Sequence, residues 1–272
     1  MQARILLAGL VLLILGACAG PSVDLAAWRA RESVSRPAEQ RREPELDAAE
    51  IERLRAADDL GAARALALSL AAERPDEPAV LALASRAESD AVFTFAEDDK
   101  DSRNHAAASS LDYAERAAKL GAASSGDRAQ LAWALGTTTH LQPMFGRSEH
   151  AARTIEAAQA ALELDEDEPT ALATLAVVNL RLETLPWIAS VMAMSRPSSS
   201  LQDAEALARR AVAARPSREN RLILAKVLTA AERESEACAV LEEALAETRH
   251  FPRDRALEAP IRELLSSLRV GE

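Results

Sequence analysis

The stretch that decides the fold is Thr154-Ile155-Glu156-Ala157-Ala158-Gln159-Ala160-Ala161-Leu162-Glu163-Leu164-Asp165. Thr154, Ala158 and Ala161 are spaced by four and then three, so they share one face of a helix. Five residues further on stands Glu166. The same frame returns as Ala204, Ala208, Ala211 and Pro216, and as Ala63, Ala67, Leu70 and Pro75. A fourth copy holds Ala237, Leu241 and Ala244, with Thr248 near the last place. Alanine at such positions lets a neighbouring helix approach closely and cross at a shallow angle. A proline after the third position ends the helix and sets the turn into the next one.

Recurrence at a roughly fixed interval is the signature of a repeat array. Ala204 and Ala237 are 33 residues apart, one helix pair. Thr154 to Ala204 is 50, one pair plus about 16 residues, and Ala63 to Thr154 is 91, room for one degraded unit. That unit is expected to place Tyr113, Ala114, Ala117 and Ala118 on one helix and Leu131, Trp133 and Leu135 on the next. The frame resembles the second helix of a tetratricopeptide repeat (TPR), although no copy carries the usual aromatic at its fourth residue. The resemblance implies an all-α, TPR-like helix-turn-helix solenoid of about four to five repeats. Helices are predicted over 46–58, 62–74, 78–97, 105–120, 127–141, 148–165, 169–184, 201–215, 218–231, 234–248 and 254–269. The last, with Leu257, Ile261, Leu264, Leu265 and Leu268, reads as the end cap that a solenoid needs.

Composition agrees. Of 272 residues, 49% are apolar and only 3% aromatic, with alanine and leucine dominant. Sheets lean on β-branched and aromatic side chains, whereas Ala, Leu, Glu and Arg are strong helix formers. An all-β domain is excluded, and no Val/Ile-rich run suggests an α/β sheet. The net charge of −11 and the lack of a basic block argue against nucleic acid as a partner.

The N-terminus reads as an address. Arg4 precedes an apolar run from Ile5 to Leu15, too short to span a bilayer but of the length of a secretory h-region. Leu15-Gly16-Ala17-Cys18 then resembles a bacterial lipobox. The resemblance implies cleavage of residues 1–17 and a diacylglyceryl group on Cys18, anchoring the chain in a membrane through buried acyl chains. Ala19 in place of aspartate implies the outer membrane, facing the periplasm, in a Gram-negative cell. Residues 18–45, with three prolines and little apolar periodicity, read as a tether, and 46–272 as the repeat domain.

The 16 extra residues fall at about 184–199. Leu185, Trp187, Ile188, Val191, Met192 and Met194 make this the least charged stretch of the mature chain. Met and Trp at an irregular site offer adaptable contact surface, so Trp187, Ile188, Val191, Met192 and Met194 are candidates for ligand or partner binding, with plain core as the other reading. Pro186-Trp187, Arg196-Pro197-Ser198-Ser199-Ser200-Leu201, Ala204-Glu205, Glu219-Asn220-Arg221-Leu222 and Leu224-Ala225-Lys226 are similar to the TPR module of the regulator of microtubule dynamics family, over about 148–268. More loosely, 46–268 resembles the T-component of TRAP transporters. Both resemblances imply binding scaffolds, with lipid handling in one branch of the first and periplasmic ligand delivery in the second.

Chemistry is sparse. His105, His140, His150 and His250 show no metal-ligand spacing, and no phosphate loop, nucleophile elbow or His-Glu-x-x-His occurs. The acidic runs 97–101 and 165–168 lack the glycine-centred calcium loop and read as solvated links between helices. Cys238 reads as a small apolar residue in the repeat face. The expectation is a protein-binding scaffold with no enzymatic activity, no cofactor and no metal. A carrier of a lipid or other hydrophobic small molecule is the alternative.

Overall fold

The computed structural model describes residues 44–122, 124–143, 146–184, 200–248 and 251–270. These form eleven α-helices: α1 (Pro44–Ala56), α2 (Leu60–Glu73), α3 (Pro78–Ala91), α4 (Lys100–Lys119), α5 (Ser125–Thr138), α6 (Arg147–Leu162), α7 (Pro169–Thr184), α8 (Leu201–Ala214), α9 (Arg218–Ala230), α10 (Glu234–Ala246) and α11 (Glu258–Val270). No strand occurs among the described residues. Each of the eleven predicted helices is present. Cys18 and the candidates Trp187, Ile188, Val191, Met192 and Met194 lie outside the described residues, as do the leader and most of the tether.

The helices pack as five consecutive antiparallel pairs, α1/α2 to α9/α10, with α11 covering α10. Each odd-numbered helix also touches the next odd one, from α1 through α9. The odd helices therefore form the crowded, inner row of the array and the even ones its outer row.

Every copy of the frame falls on an outer helix, with its small residues driven against the inner row. Ala63, Ala67 and Leu70 on α2, Thr154, Ala158 and Ala161 on α6, Ala204, Ala208 and Ala211 on α8, and Ala237, Leu241 and Ala244 on α10 are all buried. In the degraded copy Tyr113, Ala114, Ala117 and Ala118 share α4 as expected; Ser110, Ala114 and Ala117 take the buried places of the frame, Tyr113 is buried beside them, and Ala118 is exposed. A serine in the first place hid the frame. It is tolerated because Ser110 joins a buried polar cluster between α3, α4 and α5. Ser110 Oγ donates to the Ser85 carbonyl and Ser85 Oγ to the Ser110 carbonyl, both at 2.9 Å. Ser89 lies 2.8 Å from Ser110 Oγ, and Gln130 Nε2 donates to Ser85 (3.0 Å) and Ser89 (2.9 Å).

Three helix boundaries differ from expectation for visible reasons. Asp99 caps α4 by accepting from the Ser102 N–H at 3.1 Å, so that helix begins at Lys100 rather than 105. The third helix stops at Ala91 instead of 97, which frees Phe93 and Phe95 for the turn before α4. The last starts at Glu258 rather than 254, because Arg253 takes a left-handed φ of 74°. In the 165–168 run, Glu168 caps α7 by accepting from Ala171 N–H at 2.6 Å, and desolvation pushes its carboxyl pKa up. Cys238 is partly buried against the C-terminal core.

Candidate functional site

Aromatic residues are scarce in this chain, so their placement is informative. Trp133 projects from the middle of α5, and Phe93 stands in the turn that the early end of α3 leaves free. Both rings meet one side chain. The Arg253 guanidinium carbon lies 5.2 Å from the Phe93 ring centre and 5.4 Å from that of Trp133. Arg253 Nε stands 3.2 Å from Asp90 Oδ1, and its Nη2 donates to Glu219 Oε2 at 2.8 Å. Asp90 also accepts from Arg55 Nε at 2.6 Å. Desolvation works against the charge of Arg55, but Asp90 and Glu52 outweigh it and raise its pKa. Arg253 thus ties α3, α5 and α9 together on the inner row.

The segment that delivers Arg253 is itself held. Arg218, nearly inaccessible at 3% exposure, donates to the carbonyls of Ala244 (2.9 Å), Asp254 (2.9 Å) and Glu247 (3.2 Å) and to Glu258 Oε1 (2.7 Å). Asp254 closes the turn by accepting from Phe251 N–H at 2.9 Å. Arg255 pairs with Asp58 at 3.2 Å, linking the residues before α11 to the end of α1. The chain's own C-terminal segment therefore occupies part of the inner face.

Beside this plug a cavity of about 290 Å³ opens, with Phe93 and Trp133 in its wall. Ser89, Val92, Ala107 and Thr137 complete its less polar lining, and Arg103, Asn104, His140 and Arg181 supply polar groups. Arg103 and Asn104 come from the first turns of α4, fixed there by the Asp99 cap. Arg181 stands in the last turn of α7. His140 Nε2 is 2.9 Å from Asn104 Oδ1, and its Nδ1 is 3.0 Å from the Thr137 carbonyl. Among the described residues, neither the Arg103 nor the Arg181 guanidinium has an ion-pair or hydrogen-bond partner. Lys226 on α9 lies close enough that Arg181 lowers its pKa, after a larger lowering by desolvation. Arg103 is half-buried and Arg181 exposed.

The candidates Trp187, Ile188, Val191, Met192 and Met194 lie outside the described residues, and the cavity is lined by others. Sequence reasoning placed Trp133 on a helix but gave it no role, and it passed over Phe93, Arg103, Asn104, Arg181 and Arg253. The available signal was the rarity of Trp and Phe outside the 185–194 segment. His140 and His150, the pair flanking one loop, go separate ways. His140 sits at the cavity, whereas buried His150 gives its Nε2 to the Leu135 carbonyl (2.9 Å) and Thr138 Oγ1 (3.1 Å). No group of three metal-ligating side chains occurs among the described residues.

Similarity to known proteins agrees with this architecture. A thermophilic TPR protein of Thermus thermophilus is similar in structure, with a TM-score of 0.57 and 16% identity, covering 82% of this chain and 98% of that one. The shared feature is the fold. No curated protein matches the sequence. The family model described as Regulator of microtubule dynamics protein 1-3 matches residues 47–269, which extends well N-terminal of the resemblance over about 148–268. From the first inner helix to the terminal one, this chain belongs to the Regulator of microtubule dynamics protein 1-3 family.

Proposed function

We propose that this protein is a lipid-anchored, non-catalytic scaffold of the cell envelope, held to the membrane through Cys18 and binding a protein partner on the inner face of its repeat domain. In a Gram-negative host the anchor would lie in the outer membrane with the solenoid in the periplasm. The observation that carries the binding role is the inner-face cavity, where Phe93 and Trp133 stand beside two guanidiniums with no partner among the described residues. Aromatic and arginine side chains are the groups that most often anchor protein interfaces. The plug formed by Arg253 favours a partner that inserts a single side chain or chain end over one laid along the whole inner row.

The lipid-carrier alternative gains less from this geometry. A volume of about 290 Å³ lies at the small end of the roughly 300–1,000 Å³ typical of ligand pockets. That is too little for a two-chain lipid.

Two measurements test the reading. Labelled palmitate should enter the wild-type chain and not Cys18→Ser, and equal labelling would remove the anchor. A photo-crosslinking residue at Thr137, in the cavity, should trap a defined polypeptide in cells, whereas one at Glu242 on α10 should not. Indistinguishable capture from the two positions would end the inner-face assignment.

A further inference from the structure

The geometry points to recognition of a carboxylate joined to a small apolar body: Arg103 and Arg181 pair with the carboxylate, and Phe93 and Trp133 receive the body. This rests on the inner-face reading above and names the chemistry of its ligand.

The argument begins with charge. Arginine in a folded protein keeps its charge and presents a planar fork that matches a carboxylate. Other arginines near this site have acids: Arg253 has Asp90 and Glu219, Arg55 has Asp90 and Glu52, and Arg86 has Asp127. Arg103 and Arg181 face the cavity without one among the described residues, although the chain has 43 acidic side chains to offer. Two guanidiniums lining one cavity with no acid among the described residues to pair with leave room for an anionic ligand there.

Asn104 and His140, already engaged with one another at 2.9 Å, complete the polar side of the wall.

The apolar requirement comes from the remaining wall. Phe93 and Trp133 are positioned by Arg253, whose stacking leaves them few alternative orientations. Val92 and Ala107 lie beside them. A cavity of about 290 Å³ accepts a phenyl ring or a branched aliphatic group with a short linker. Two sources present that chemistry: a free aryl or branched-chain acid, and a polypeptide ending in an apolar residue.

Isothermal titration calorimetry tests this on the full chain in nanodiscs, with empty nanodiscs as the blank. The probes are 4-phenylbutyrate, its neutral isostere 4-phenylbutan-1-ol, the dianion 4-phenylbutyl phosphate, and a hexapeptide ending in leucine as free acid and as amide. The acid should bind at least tenfold more tightly than the alcohol. Arg103→Gln and Arg181→Gln should each cost about tenfold, and Arg262→Gln on α11 should change nothing. Equal binding of acid and alcohol overturns the proposal, and so does a phosphate that outbinds the acid by tenfold. Binding of the free-acid peptide but not its amide supports the proposal with a chain end as the source. Binding of phenylbutyrate alone supports it with a free acid. The failure of the scaffold reading looks different. There the Thr137 crosslink is lost while 4-phenylbutyrate still binds, whereas a failed carboxylate assignment leaves the crosslink intact.

Discussion

The guanidinium of Arg253 lies over the indole of Trp133 at 5.4 Å, joining a residue after the fifth outer helix to the middle of the third inner one. A solenoid's stability is ordinarily the sum of contacts between neighbouring repeats. Here a single side chain adds a bond across them, and it carries the ion pairs to Asp90 and Glu219 as well. Arg253→Ala removes one partner from a buried charge network, which costs roughly 3–5 kcal/mol in such settings. Urea unfolding should show that loss together with a broader transition. An unchanged midpoint would mean that the bridge is incidental.

The serine cluster makes a second prediction. Ser110 occupies a place that alanine holds in other copies of the frame, so Ser110→Ala fits without strain. It nevertheless removes a hydroxyl that bonds the Ser85 carbonyl and meets Ser89. Leaving buried polar groups unsatisfied costs about 1–3 kcal/mol, and thermal or denaturant unfolding should report a loss in that range. A stabilised Ser110→Ala would show the polar cluster to be replaceable.

Gly136 lies within α5, where a Cβ would meet the methyls of Thr154 at 3.5 Å and Thr174 at 3.8 Å. Both are ordinary van der Waals distances, and helix-interior glycine is unfavourable by roughly 0.5–1 kcal/mol relative to alanine. Gly136→Ala should therefore raise stability by about that amount. Destabilisation on calorimetry would mean that α5, α6 and α7 are packed more tightly than these distances allow.

His150 gives a dependence on pH. Desolvation, the largest influence, holds its imidazole pKa below the ordinary value near 6.5. Above that value it is neutral in both states. As the pH falls, the unfolded chain takes up the proton first, so stability declines until the folded residue also titrates. The stability advantage of wild type over His150→Gln should therefore shrink between pH 7.5 and pH 5. A constant difference across that range would contradict it.

How much of this was legible in advance is seen best in particular residues. Ala204, Ala208 and Ala211 announced an outer helix because a four-three spacing of small residues has one efficient use, close approach to a neighbour. On α4 the helix was legible but the frame's first place was not, because Ser110 is polar and only its partners Ser85 and Gln130, on two other helices, make it a core residue. Arg103 and Arg181 looked like any charged helix position. Nothing local distinguishes an arginine that faces a cavity from one that faces solvent.

The order and pairing of the helices are written in the chain's local pattern, because helix period, caps and proline stops are set by neighbours a few residues away. The binding corner needed the tertiary structure. It depends on how Phe93, Trp133, Arg103 and Arg181 converge from the α3–α4 turn, α5, α4 and α7, and on a C-terminal arginine arriving in left-handed backbone to fix the two rings. Such convergence is a property of the accumulated rotation from one repeat to the next, and no short run of residues encodes it.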